Sequence, residues 1–433
     1  MPNLVTLTCQ THGTVSSFEE YPASKNLGLL SEINDSVTLA DVLNADHLEH
    51  AALTTFVVDE PWLLSHFNLT TALILVANAQ ADSDAKTQRS DDIICVRPEF
   101  PKPHVQIVHS KLLLLFYAHS IRLVVCTGNL VEDDWTIMHN CVCVHDFPMD
   151  DTQVFPANEF SLALAYSLLD LSIPVDLVAR LNHVDFAGAT DVHIITSVPA
   201  GGDRQDAYMN EYGMLRLAKV INQLHGSKPT SEGFDPDTRL YCAGSSLGRL
   251  DYRWLREFYL CVHGLNPRSK RKYVFDYSTP NGMVDVGIAF HTQTQVEACR
   301  YGDQCAQHIM TKCRVYEERD FPRDTLVRIE PLHRETLVHV KAMIARVGIN
   351  QDEGWVYIGS HNCTKAAWGT LHGDEPPYFN NYEFGVVLSG VQFDKVDGDK
   401  GVQAVWKEEP LELPFKIVWK PYFRDDKPYF GTF

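Results

Sequence analysis

The sequence predicts an α/β protein built from two similar halves related by an approximate two-fold. Two observations carry this reading. A sparse pattern of His, Lys, Asn and Trp occurs twice, first as His109, Lys111, Asn129 and Trp135, then as His339, Lys341, Asn362 and Trp368, about 230 residues on (339 − 109). Around each copy, runs rich in Val, Ile and Leu alternate with stretches whose apolar residues recur at helical spacing, which implies α/β layering in each half.

Taken in order, residues 1 to about 50 are mixed in character, and Ala79 to Asp92 reads as a polar, charge-rich loop. From Val105 to Val125, apolar residues flank Ala118-His119-Ser120, predicting a hairpin whose strands end near the first His and Lys. Asn129 falls just past the second strand, where a loop can aim it, and Val142 to Val144 reads as another strand. Glu159 to Leu171 has helical spacing and stops before Pro174. A loop at Pro199-Ala200-Gly201-Gly202 precedes a helix containing Met214 to Leu224, so the domain boundary is placed there, giving domains 1–202 and 203–433. The second half repeats the order. Leu337 to Arg346 is the expected strand bearing the second His and Lys, Trp355 to Gly359 feeds Asn362, Thr364 to Trp368 starts a helix, and Glu383 to Leu388 is the closing strand. The site belongs in the cleft between the halves.

The doubling has a chemical reason. In each copy His precedes Lys by two positions, which on a strand puts both side chains on one face. A phosphodiester has two non-bridging oxygens, so two ammonium groups and two amides can clamp it and stabilise the charge that builds during in-line displacement. The imidazoles are left for attack on phosphorus on one side and for proton transfer on the other. The lysines supply the positive charge that a metal supplies elsewhere, so neither metal nor cofactor is expected.

Composition narrows the class. The 433-residue chain is 45% hydrophobic, which is globular, and no run of 18 apolar residues exists to span a membrane. The N-terminus lacks the basic region and apolar core of a secretory signal. Eleven cysteines without C-x-x-C spacing offer no zinc site and suit a reducing compartment. A formal charge of −19 argues against broad coating of DNA, yet is neutral on recognition of a DNA end by a local groove. The densest basic run, Arg268-Ser269-Lys270-Arg271-Lys272, reads as a solvated loop, a phosphate contact or an import signal.

The segments Val108-His109-Ser110-Lys111, Thr127-Gly128-Asn129-Leu130 and Ser360-His361-Asn362-Cys363-Thr364-Lys365-Ala366-Ala367-Trp368-Gly369 resemble the tyrosyl-DNA phosphodiesterase branch of the phospholipase D superfamily. Most of that superfamily carries an Asp five residues after the Lys; here Phe116 and Arg346 stand there, as in this branch. Resemblance runs from about residue 50 to about residue 425 and includes Phe56-Val57-Val58-Asp59-Glu60-Pro61-Trp62-Leu63, Asp191 to Pro199 and Gly244-Ser245-Ser246-Leu247-Gly248.

It implies two phospholipase D-like α/β/α sandwich domains and hydrolysis of the bond joining a DNA 3′ end to a topoisomerase I tyrosine, through a covalent phosphohistidine. By motif position it makes His109 the nucleophile, His339 the acid and base, and Lys111, Lys341, Asn129 and Asn362 the phosphate clamp. Glu383 would orient His109. Asn140 stands where the family has a glutamine that supports His339, and Val105 where it has an aromatic that stacks on the DNA end. Ser246, Thr364 and Lys365 match positions lining the DNA side, although Thr364 could cap the following helix and Ser246 could make a turn. A monomer acting on a single-stranded or frayed 3′ end is expected, in the nucleus, with a mitochondrial or cytoplasmic pool as the alternative. The rivals are a phospholipase D-type phosphodiesterase of other specificity and a catalytically silent relative that only binds DNA ends.

Overall fold

The computed structural model describes residues 5–11, 36–68, 70–78, 88–90, 93–98, 100, 106–199, 210–224, 238–269, 284–333, 335–348, 350–394 and 401–431. The boundary at residue 202, Val105 and the lysines and arginine of the 270–272 run lie outside them.

Two ten-stranded sheets dominate the described residues. In the first, the hairpin of Leu112–Phe116 and Ser120–Cys126 pairs antiparallel with Met138–Pro148 on one side and His50–Thr54 on the other. In the second, the hairpin of Ala342–Val347 and Glu353–Gly359 pairs with the long strand Asn381–Phe393 on one side and Arg239–Ala243 on the other. In both halves an Asn-bearing loop and a short helix, Glu132–Thr136 or Lys365–Trp368, link the hairpin to the next strand. The repeated pattern is thus a repeated β-hairpin, loop, helix and strand.

Period-two alternation sorts the side chains between cores. Leu112, Leu114 and Phe116 enter a central core that also holds Ala342, Ile344, Val356, Ile358 and Phe384 of the other sheet. Leu113 and Leu115 point the opposite way, under the helices Leu39–Leu43 and Glu60–Leu64. Met343, Ala345, Trp355 and Tyr357 likewise face the helices Gly213–Leu224 and Tyr252–Val262. The four helices just named thus cover the outer faces of the sheets, which share an apolar layer that also takes in Phe160, Leu164 and Leu168 of the helix Glu159–Asp170. Burial on both faces explains why Leu112-Leu113-Leu114-Leu115 shows no alternation, and each such leucine contributes roughly 1.5–3 kcal/mol.

Several boundaries differ from expectation. A short strand, Gln88–Ser90, lies inside the span read as a loop, and pairs with Ile93–Val96. The single strand expected over Leu337 to Arg346 is broken: Leu337–Val338 belongs with the first sheet and Ala342–Val347 with the second. His339, Val340 and Lys341 are the extended crossing between them. The first copy does the same. Ile107–Val108 pairs with Asn381–Phe393 of the second sheet, whereas Leu112–Phe116 belongs to the first. Each half thus sends a two-residue strand into the other.

Gly359 and Gly385 are cross-strand partners beneath the Tyr357 ring. A Cβ at Gly385 would lie 2.2 Å from the Tyr357 hydroxyl and 2.5 Å from ring atoms. Gly385→Ala should therefore cost about 1–3 kcal/mol or more through overpacking and lower Tm in a thermal melt. An unchanged Tm would mean that Tyr357 is free to move aside.

Candidate active site

The two crossings place each His and Lys against the opposite half. The His109 amide donates to the Tyr382 carbonyl at 2.9 Å, and the His339 amide to the His139 carbonyl at 2.8 Å. Within each crossing the middle residue turns away: Ser110 meets the Thr54 hydroxyl at 2.9 Å, and Val340 enters the core. His and Lys consequently share a face, and each lysine folds back on its own histidine. Lys111 Nζ donates to the His109 carbonyl at 2.8 Å, and Lys341 Nζ to the His339 carbonyl at 2.7 Å.

Each histidine meets a carboxylate from the other half. His109 Nδ1 lies 2.8 Å from Glu383 Oε2. The same oxygen accepts from the Ser360 hydroxyl, and Asn381 donates to Oε1 at 2.8 Å. Strand alternation thus turns Glu383 inward. On the other side, His339 Nδ1 lies 3.2 Å from Asp134 Oδ1, and His339 Nε2 is 2.7 Å from Lys341 Nζ.

The partner of His339 is where expectation and structure part. Asn140 makes no hydrogen bond to His339. Its Oδ1 accepts from the Thr127 hydroxyl at 2.8 Å and its Nδ2 donates to the Asp134 carbonyl at 2.8 Å. One methylene shorter than glutamine, it braces the loop that carries Asp134, and the Asp134 carboxylate approaches the ring. Asp134 lies five residues after Asn129 in a Glu-Asp-Asp run whose ordinary reading is the acidic first turn of a helix, which hid it.

The amides are held unequally. Asn362 Oδ1 accepts from the backbone amides of Ser245 and Ser246 at 3.0 and 3.1 Å, leaving Nδ2 for a ligand. Asn129 Nδ2 donates to Asp134 Oδ2 at 2.8 Å, and Trp135 closes the loop through Nε1 on the Asn129 carbonyl at 2.9 Å. Ser246 therefore meets the site through its backbone. Thr364 caps the helix Lys365–Trp368, and Lys365 is ion-paired with Asp251. Phe56, which motif matching did not single out for the site, stands with its ring centroid 5.6 Å from that of His109 and is partly exposed.

Burial sets the protonation states. Lys111 and Lys341 are fully buried, and neither has a carboxylate within salt-bridge distance among the described residues. Burial lowers Lys111 to about 8 against the pull of Glu383 and Asp134. Burial, then the neighbouring Lys111 charge, takes Lys341 well below the ordinary lysine range. Two buried amines whose charges repel each other favour an anion. Burial also holds His109 below its ordinary value, against the opposing charge of Glu383. For Glu383 burial pushes upward, but the His109 ring, His361 and Lys111 outweigh it and bring the carboxyl to about 2. Burial brings His339 to about 3 despite Asp134. The free site therefore holds neutral imidazoles beside ionised carboxylates.

Comparisons with known proteins agree on one family. The family model described as tyrosyl-DNA phosphodiesterase matches residues 23–423. Tyrosyl-DNA phosphodiesterase 1 of Arabidopsis thaliana is 25% identical, over 91% of this chain and 71% of that protein. Its counterpart in Drosophila melanogaster is 24% identical, over 91% of this chain and 70% of that protein. The crystal structure of yeast tyrosyl-DNA phosphodiesterase superposes with a TM-score of 0.67 at 16% identity, covering 92% of this chain and 96% of that one.

Imidazole nitrogen shifts followed against pH, with His109→Ala used to assign the signal, should show the His109 ring neutral down to below pH 6.5. The sign follows from burial: a lowered value keeps the neutral form to more acid pH. Glu383→Gln removes the charge that raises His109, so its midpoint should fall further. Turnover by that variant should drop roughly 10²-fold or more. A His109 midpoint above 6.5 would contradict this electrostatic picture.

Proposed function

The chain belongs to the tyrosyl-DNA phosphodiesterase family, and from that premise we propose that it hydrolyses the phosphodiester between a DNA 3′ end and a tyrosine, as left by stalled topoisomerase I. The observation that carries the mechanism is the crossed arrangement: two His-Lys pairs, each on a segment shared between sheets, each histidine facing a carboxylate of the other half.

Roles follow from which nitrogen is free. Glu383 holds His109 at Nδ1, so the lone pair available for attack is on Nε2. The phosphate settles between Lys111 and Lys341 and supplies the charge those buried amines lack. As His109 Nε2 bonds to phosphorus, the tyrosyl oxygen leaves and takes a proton from His339. The free His339 ring is neutral, but a bound phosphate adds a negative charge beside it and draws Lys341 off Nε2. Both changes raise its proton affinity. In the second step His339 takes a proton from water, the water oxygen bonds to phosphorus, and the bond to His109 breaks, leaving a 3′-phosphate.

Supporting the substrate reading, Phe56 offers an aromatic surface beside His109, and the backbone amides of Ser245 and Ser246 fix Asn362. The net charge of −19 favours a local end contact over long tracking along DNA. The ten cysteines whose side chains are described are free thiols, which supports work in a reducing compartment such as the nucleus. We take the active unit to be a monomer, since both carboxylates and both His-Lys pairs come from one chain. A lipid diester is the competing substrate, and phosphatidylcholine assayed beside a 3′-phosphotyrosyl oligonucleotide separates the two.

The two steps also separate by mutation. In single-turnover assays His109→Ala should form no adduct and release no tyrosine. His339→Asn should accumulate protein covalently joined to the DNA 3′ end, because removing the base slows the second step, visible as a shifted band on a denaturing gel. Free product at the wild-type rate from His339→Asn would exchange or abolish the assigned roles.

A further inference from the structure

Behind His339 lies a cluster whose third member, His308, the reaction does not use. Asp134 Oδ2 is occupied by the Asn129 amides at 2.6 and 2.8 Å. Asp134 Oδ1 is buried and makes no hydrogen bond among the described residues, nor does His339 Nδ1 or His308 Nε2. Yet Oδ1 lies 3.2 Å from His339 Nδ1 and 3.3 Å from His308 Nδ1. One ligand atom from each of the three residues falls within 4.8 Å of the others.

The two separations from Asp134 Oδ1 match the spacing of ligands around an ion, and the two imidazole nitrogens lie within 4.8 Å of each other. Ligands at about 2.0–2.1 Å around a tetrahedral centre stand about 3.3–3.4 Å apart. Two imidazoles and one carboxylate are ligands a zinc-like ion takes, leaving a fourth position for water. His308 is also anchored rather than loose. The segment that carries it is clasped to the helix Glu132–Thr136 by Gln304 on Asp133 at 2.7 Å, Gln307 on Asp133 at 3.3 Å and Cys305 Sγ on the Ile137 carbonyl at 3.7 Å. The His308 side chain keeps 12% of its surface exposed, which gives an ion a way in.

We propose that Asp134, His308 and His339 form an inhibitory site for a divalent transition-metal ion of the zinc class. An ion on His339 Nδ1 forces the ring proton onto Nε2, where a neutral imidazole N–H is too weak an acid to protonate a departing oxygen. It also leaves no lone pair there to take a proton from water. Both functions of His339 stop and Lys341 loses its acceptor at Nε2, while His109, Glu383 and Lys111 are untouched. Metal binding rests on the three residues alone, whereas the inhibition rests on the catalytic reading of His339.

The test therefore has two arms on the full chain. Co2+ titrated into chelator-treated protein should give the visible absorption of four-coordinate cobalt, saturating near one equivalent, and His308→Ala should lose that band. No band in the wild type, or the same band in both proteins, overturns the site irrespective of turnover. Zn2+ should inhibit release of tyrosine from a 3′-phosphotyrosyl oligonucleotide, and His308→Ala should need at least about tenfold more Zn2+ for half-inhibition, each protein referred to its own metal-free rate. Equal sensitivity would overturn the inhibitory role even if the cobalt band is lost.

Discussion

The exchange of two short strands between the sheets is the constraint on which the site depends. Ile107–Val108 hydrogen-bonds into the second sheet and Leu337–Val338 into the first, so the residues that follow must span the seam. Those residues are His109, Ser110 and Lys111 in one crossing and His339, Val340 and Lys341 in the other. Because the pairing is by backbone, it fixes the depth and direction of each histidine before any side chain acts. Glu383 then holds the His109 ring from across the seam, and Asp134 stands 3.2 Å from that of His339. A change in the packing of one half would move Glu383 relative to His109, which couples the proposed chemistry to the shared core between the sheets.

The same seam explains the electrostatics. Placing two lysines at a contact between sheets removes them from water, and placing them opposite one another adds repulsion that only an anion can relieve. A phosphodiester bound between them would relieve that repulsion. The carboxylates do not neutralise the lysines, since each is engaged with a histidine: Glu383 with His109, Asp134 with His339. In the proposed mechanism, binding, ring orientation and proton transfer are thereby divided among separate groups.

Much of this was legible in the sequence because it was written twice. The doubled order of His, Lys, Asn and Trp pointed to two halves and one site, and hydrophobic runs placed the hairpins. Two-residue strands carry no periodicity, so the crossings could not be read, and an unbroken strand over Leu337 to Arg346 was the natural expectation. Asp134 was hidden because an acidic residue opening a helix already has a sufficient explanation, and because resemblance directed attention to Asn140. His308 has no signal at all: it follows a four-residue helix, and it meets Asp134 of the other half. Lys365 shows the converse, a cation that motif position assigns to DNA and that the fold pairs with Asp251.

The central claim is that both crossings converge on one phosphorus atom, and a structure of the protein trapped with vanadate, a tyrosine peptide and a short single-stranded oligonucleotide tests it most directly. The account predicts vanadium bonded to His109 Nε2, the tyrosyl oxygen opposite it beside His339, and Lys111, Lys341 and the two asparagine amides on the remaining oxygens. Vanadate bonded through His339, or held by one half without contact from the other, would contradict it.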